Sequence, residues 1–478
     1  MSRIINAFHS ICSEQKNKLA FFYLEKGKRK CKTFGELFKD TEQTVQYLSA
    51  SGVKYGDRIL AFAAPSYRLC VFMLASLRLG ASLMYVDIWA KQDKLKSVFS
   101  DYRPDYLLVS NQTKYLKIFF REIRKIKRVI NVDTVSGGNA IPLAENEIGE
   151  ETVALLTMTT GSTGKPKIVI RTHRNLYEQL KLINENLDAS GEQTVLTTSF
   201  IYVFSNVMSG FTTVLPQVNL SLQSKRKLNG KLAKFSDLPI TMIMTSPDFC
   251  LKTDNLYPSL KQVFFGGAIL NIKEAKAILN KYGQAEITYI YGATECNLIS
   301  STRLATYAEK LERERHCVLG NVVRGVQVKI GGNNEIMVSS SALLENYLVQ
   351  DLSNKTKDGQ TVWHNTGDTG AYENGVLYYL GRSKYEIQTD GGKFYSNQIE
   401  QNVILQFQEL DKCAVLQYNG VVYLFVECSE KCNLTDVEVY LKETFQIEKL
   451  RVKKLKKIPC DVKHHTKINY NKLMKRIN

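Results

Sequence analysis

Apolar residues recur every three to four positions in FGELFKDTEQTVQYLSASG, which starts at Phe34 and stops at Gly52, so a helix ending at that glycine is expected. The next segment, DRILAFAA, is a short continuous apolar run and reads as a buried strand. The alternation then repeats. YRLCVFMLASLRLG has helical spacing and ends at Gly80, SLMYVD reads as a strand, and DYLLVS follows another helical stretch as a further strand. Repeated β-α-β alternation predicts an α/β fold with largely parallel sheets covered by helices.

Three later strands end in small residues. TVALLTMTT leads into Gly161 and Gly164, SLKQVFFGGAIL carries Gly266, Gly267 and Ala268, and EITYIYGATECNLIS runs into Tyr291, Gly292, Ala293, Thr294 and Glu295. Ligands of open α/β sheets sit at the carboxyl ends of strands, where small residues let them approach the backbone. After residue 310 the pattern changes to short β-rich pieces, VQVKIGG, EIMVSS and GVLYYLG, which predict a small β-rich lobe. A second boundary falls near GRSKYE, residues 381 to 386. Beyond it QIEQNVILQF reads as a helix and KCAVLQY, VVYLFVEC and LRVKKL as strands, a compact α+β unit on a hinge.

The loop TTGSTGKPK concentrates backbone donors, hydroxyls and lysines, the groups that hold phosphate. It is not the common P-loop, because only two residues separate Gly161 from Gly164. Taken alone, the same composition also suits a plain strand-to-strand turn.

At 478 residues the chain exceeds what one core supports, so at least two domains are expected. The net charge of +17 raises nucleic-acid binding, but the lysines are dispersed and no base-reading motif accompanies them, so no specific nucleic-acid partner is expected. KIFFREIRKIKR (117 to 128) and KLRVKKLKK (449 to 457) are the local concentrations, the first expected as the solvated face of a packed helix. The start MSRIINAFHSICSEQKNK has no long apolar stretch, and Arg78 interrupts the most apolar later segment, so no transmembrane segment and a cytoplasmic location are expected. The ten cysteines have no metal-ligand cadence and are expected as reduced packing thiols.

With TTGSTGKPK, YGATE, NTGD, GRSKYEI and the late lysine of HHTKINYNKL in this order, the chain resembles the acyl-adenylate-forming enzymes: acyl and aryl CoA ligases, nonribosomal peptide adenylation domains and luciferases. The resemblance spans about residues 35 to 475. It implies an N-terminal AMP-binding domain (1–381), a hinge (382–384) centred on Lys384 and a mobile C-terminal domain (385–478). It also implies ATP and Mg²⁺ as cofactors, with CoA or a pantetheine carrier protein as acceptor. Thr159, Thr160, Gly161, Ser162, Thr163, Gly164 and Lys167 would hold the β- and γ-phosphates. Glu295 would take the Mg²⁺, Thr294 the α-phosphate, Asp368 the ribose hydroxyls with Arg382 beside them, and Tyr291 with Gly292, Gly267 and Ala268 the adenine region. Lys467 would reach the reacting acyl oxygen and phosphate. Two positions depart from the pattern: Ile168 stands where glycine is usual and Ser396 where proline is common.

TSFIYVFSNVMSGF (198 to 211) corresponds to the wall of the acid pocket, with Ile201, Tyr202, Phe204 and Gly266 as its residues. Amino-acid-activating members place an aspartate after the phenylalanine; here Ile201 follows Phe200, so a buried substrate ammonium would lack its countercharge. An uncharged acyl or aryl acid is expected. QTDGGKFYSNQIE and PCDVKHHTKINYNKL also look like the olefin β-lactone synthetases, in which the substrate's own hydroxyl is the acceptor. A silent nucleotide-binding module is the remaining alternative.

Overall fold

The structure, a computed structural model, describes the chain except residues 89, 91, 116–120, 135–147, 160–166, 188, 219, 221–222, 345–346, 349–353, 429–431, 462–465 and 478, and the side chains of 92–94, 121 and 159. The helix expected near residue 34 spans Phe34–Ala50. Thr33 caps it, accepting from the Glu36 N–H while the Glu36 carboxylate accepts from the Thr33 N–H. The second expected helix spans Tyr67–Leu79 and ends on Gly80 at φ +66°, a left-handed cap that glycine adopts without strain.

Two sheets organise the first part of the chain. The six-stranded sheet runs Arg128–Asn131, Tyr106–Val109, Arg58–Phe62, Ser82–Tyr85, Val153–Thr159, Lys167–Thr172, parallel throughout except for the last antiparallel pair. The strands on either side of the expected phosphate loop pair antiparallel, with Thr159 opposite Lys167. The segment 117–128 does not form the expected packed helix among its described residues. Arg121–Lys125 is a 3₁₀ turn, and Arg128 begins a strand paired with Tyr106–Val109, because sheet hydrogen bonds outweigh a marginal helical period.

The larger sheet is parallel from Leu19–Glu25 through Thr212–Leu215, Thr194–Thr197, Met242–Thr245 and Gln262–Gly266 to Glu286–Tyr291. It then turns antiparallel and continues through Ser300–Arg303 into the β-rich segment, where Thr361–Glu373 pairs with Val376–Arg382. One edge is Lys28–Thr33, whose sequence KRKCKT puts cations where a foreign strand would otherwise pair. No described helix is long and apolar enough to cross a membrane.

Past the turn Ser383–Tyr385 lie a hairpin (Glu386–Thr389, Gly392–Tyr395), the helix Ser396–Gln406 and a three-stranded sheet of Leu410–Tyr418, Val421–Cys428 and Leu450–Lys454. This unit docks on the larger one through a half-buried ion pair, Lys412 to Glu274 at 3.0 Å, and through Gln401 and Tyr395, which donate to the carbonyls of Leu270 and Asn333. Glu400 on the helix is buried, and burial pushes its carboxyl up to about 7, against the hydrogen bonds from Tyr470 and Val415 and the nearby Lys412. A raised carboxyl pKa means the folded chain binds the proton more tightly than the unfolded chain. Its contribution to stability is full below about pH 4.5 and is lost as pH rises through about 7. Glu400→Gln is expected to flatten the pH dependence of urea unfolding over that window and to raise stability at pH 8 by on the order of 3 kcal/mol. Parallel pH profiles for the two proteins would refute the assignment.

Candidate active site

The carboxyl ends of the parallel strands, the Lys467 segment and the turn Ser383–Tyr385 surround one cavity of about 1180 Å³. Three glycines in its wall are required by backbone geometry. A Cβ on Gly266 would collide with the Ile290 carbonyl oxygen, and Gly267 sits at φ +99°. Gly292 leaves no room for any side chain beside the Asn297 carbonyl. Ala268 and Tyr291 line the same wall.

Tyr291 ends its strand with the phenol donating to Asp368 Oδ2 at 2.8 Å, while Arg382 Nε lies 2.8 Å from Asp368 Oδ1, an ion pair without hydrogen-bond alignment. Asp368 and Arg382 face each other because their strands pair in register. The carboxylate holds the Arg382 guanidinium well above its ordinary range, and burial, then Asp368, holds the Tyr291 phenol far above its own. Lys467 enters this group from the far end of the chain. It lines the same cavity as Asp368 and Arg382, and burial and then Arg382 lower its ammonium pKa, with Asp368 and Asp461 opposing.

In the same cavity Glu295 Oε1 accepts from Tyr347 OH at 2.8 Å, and His364 Nε2 lies 3.9 Å from Oε2. The ammoniums of Lys167 and Lys355 sit 5.5 and 5.4 Å from the Tyr347 ring centre. Burial lowers the His364 pKa, Glu295 opposes, and Lys355 and Lys167 add to the lowering, so the imidazole is neutral near pH 7. Arg171 fixes the preceding residue: it donates to the Thr294 carbonyl at 3.0 Å, to Thr157 Oγ1 at 2.7 Å and to Gln179 Oε1 at 2.8 Å. Burial lowers its guanidinium to about 10, still a cation at neutral pH.

Thr294, Glu295, Lys167, Gly266, Gly267, Ala268, Tyr291, Gly292, Asp368, Arg382, Lys384 and Lys467 all line this cavity. Thr160, Gly161, Ser162, Thr163 and Gly164 lie outside the described residues, as does the Thr159 side chain. On the helix Phe200–Met208, Ile201 and Tyr202 face the cavity, and burial pushes the Tyr202 phenol up to about 12. Phe204 does not line it: 1% exposed, it turns into the core with Val203 and Val207. Met73, Ile88, Val218 and Leu220 complete an apolar wall, which also carries Asp87, accepting from Tyr85 OH at 2.9 Å.

Arg171, Tyr347, His364 and Asp87 escaped the sequence reading, although one of them left a signal. Residues 167, 169 and 171 share one face of a regularly paired strand, so Arg171 lies with Lys167.

Residues 8–347 match the family model "AMP-binding enzyme". The chain is 23% identical over 380 residues to the D-alanine–D-alanyl carrier protein ligase of Staphylococcus aureus strain Newman, covering 75% of this chain and 76% of that one. Among solved structures it resembles O-succinylbenzoate coenzyme A synthetase from Bacillus subtilis in complex with ATP and magnesium ion (TM-score 0.81, 21% identity, 98% of this chain and 99% of that). It also resembles the amide bond synthetase McbA from Marinactinospora thermotolerans (TM-score 0.82, 16% identity, 99% and 100%).

Proposed function

Because this chain belongs to the AMP-binding enzyme family, we propose that it activates a carboxylic acid with ATP to an acyl-adenylate, releasing pyrophosphate, and passes the acyl group to a thiol of CoA or of a pantetheine carrier. The observation that carries this reading is the convergence of Lys467, the Asp368–Arg382 pair, Thr294 and Glu295 on one cavity.

A carboxylate and a triphosphate repel, so the site must neutralise phosphate charge and hold the acid in line with the α-phosphorus. Asp368, already held by Tyr291 and Arg382, presents a fixed acceptor for the two ribose hydroxyls. Thr294 would meet the α-phosphate, and Lys167 with the loop before it the β- and γ-phosphates. Lys467 would lie against the acyl and α-phosphate oxygens, where negative charge grows in the transition state. Among the described residues no group of three or more His, Cys, Asp or Glu gathers for a metal, and Glu295 supplies one carboxylate beside the phosphate end. That fits Mg²⁺, which keeps several waters and takes its other ligands from phosphates. When bound, the ion would neutralise phosphate charge. Lys384, in the turn joining the two parts of the chain, is the proposed hinge between an N-terminal domain (1–381) and a mobile one (385–478).

The apolar wall around Ile201 and Tyr202 supports an uncharged acyl or aryl acid, since Asp87 is already engaged by Tyr85. Pyrophosphate exchange across fatty, aryl and amino acids tests this. Exchange is expected with acyl or aryl acids, and Ile201→Asp should improve the ratio for amino acids over acyl acids by about tenfold or more, because it supplies the missing countercharge. Preferred exchange with amino acids by the natural chain would reject the substrate class and make Asp87 the countercharge. ATP binding without exchange on any acid would reject the enzyme, and adenylate consumption without a thiol would give the acceptor role to a hydroxyl of the substrate.

A further inference from the structure

Lys467 reaches the cavity from near the end of the chain. Among the described residues the backbone is held by an isolated pairing of Cys460 with Ile468, by Asp461 N–H donating to the Lys467 carbonyl at 2.7 Å and by Asn469 N–H donating to the Pro459 carbonyl at 2.8 Å. A lysine side chain is long and rotamer-rich, so placing its ammonium within a fraction of an ångström of a reacting oxygen requires a rigid base. Three residues on, at the start of the helix Tyr470–Met474, the Tyr470 phenol donates to Glu400 Oε1 at 2.6 Å. The same oxygen accepts from the Val415 N–H at 2.8 Å, so the helix Ser396–Gln406 and the strand Leu410–Tyr418 both anchor it. The Tyr470 ring is stacked on Tyr385, centres 4.2 Å apart, and Tyr385 directly follows Lys384 in the connecting turn. All three side chains line the cavity.

We propose that Tyr470 and Glu400 are positioning residues for Lys467: the phenol, bonded to the buried carboxyl and stacked on Tyr385, clamps the segment that carries the Lys467 ammonium to the Asp368–Arg382 pair. The clamp rests on the reading of Lys467 as the adenylation lysine. It acts on the first half-reaction alone, because only that step uses the ammonium. A tyrosine that merely held the small unit together would affect both half-reactions.

Tyr470→Phe keeps the stacked ring and removes the donor. Pyrophosphate exchange is expected to fall about tenfold in kcat, with the ATP dissociation constant by calorimetry and the rate of thioester formation from supplied acyl-adenylate both within about twofold of the natural protein. Glu400→Gln retains an oxygen that accepts from Tyr470 and Val415 and should keep exchange within about threefold of the natural protein. Should exchange in Tyr470→Phe stay within twofold while Lys467→Ala abolishes it, the clamp is wrong and the role of Lys467 stands. Equal losses in both half-reactions also overturn the clamp, in favour of a structural tyrosine. Undiminished exchange in Lys467→Ala removes the assignment beneath it.

Discussion

Lys467→Ala lowers acyl-adenylate formation by about 10²- to 10³-fold while ATP still binds, the expected result for a cation that meets charge present only in the transition state. The lysine reaches the cavity of the Asp368–Arg382 pair from a segment remote in sequence, and burial, then Arg382, lowers its ammonium pKa. Ground-state nucleotide contacts would remain with Tyr291, Asp368 and Lys167, so the ATP dissociation constant should change by no more than about threefold. Pyrophosphate exchange and calorimetry on one preparation separate the two quantities. Parallel loss of exchange and of ATP affinity would make Lys467 a binding residue, and loss of thioester formation from supplied acyl-adenylate to the same extent would remove its confinement to the first step.

Asp368→Ala is expected to act on both nucleotide binding and the fold. The carboxylate, 6% exposed, is the acceptor for the Tyr291 phenol and the countercharge of Arg382. Its removal leaves a partly exposed guanidinium without its countercharge and a buried phenol without its acceptor, a loss of about 1–3 kcal/mol, chiefly from the phenol. Affinities for ATP and AMP should fall together by about a hundredfold, since the ribose is common to both. Asp368→Asn keeps an acceptor for Tyr291 and should lose less stability. Denaturant unfolding with nucleotide titration of the folded fraction checks both effects. A destabilised protein that binds AMP with undiminished affinity would confine Asp368 to holding Tyr291 and Arg382.

Much of this was legible in the chain because it is local. The helices Phe34–Ala50 and Tyr67–Leu79 follow from apolar spacing, a capping threonine and a terminal glycine, all within a few residues. Gly266, Gly267 and Gly292 stand at strand ends where backbone geometry leaves little choice. Other outcomes depended on distant partners. Strand pairing with Tyr106–Val109 took Arg128, the last residue of the expected helix at 117–128, into a strand, and core packing turned Phe204 inward, while Ile201 and Tyr202 remained on the cavity.

The sequence by itself determined the order of elements, the α/β class and the kinds of side chain offered to a nucleotide, because turn chemistry, periodicity and strand ends are encoded within short windows. Only the tertiary structure decided which charges meet. It brought Arg171 to the Thr294 carbonyl, Tyr347 and His364 to Glu295, and the Glu400–Tyr470 bond beneath Lys467. Those partners are tens to hundreds of residues apart in the chain, and a spacing rule that reaches a few residues carries no information about which of them a folded core will press together.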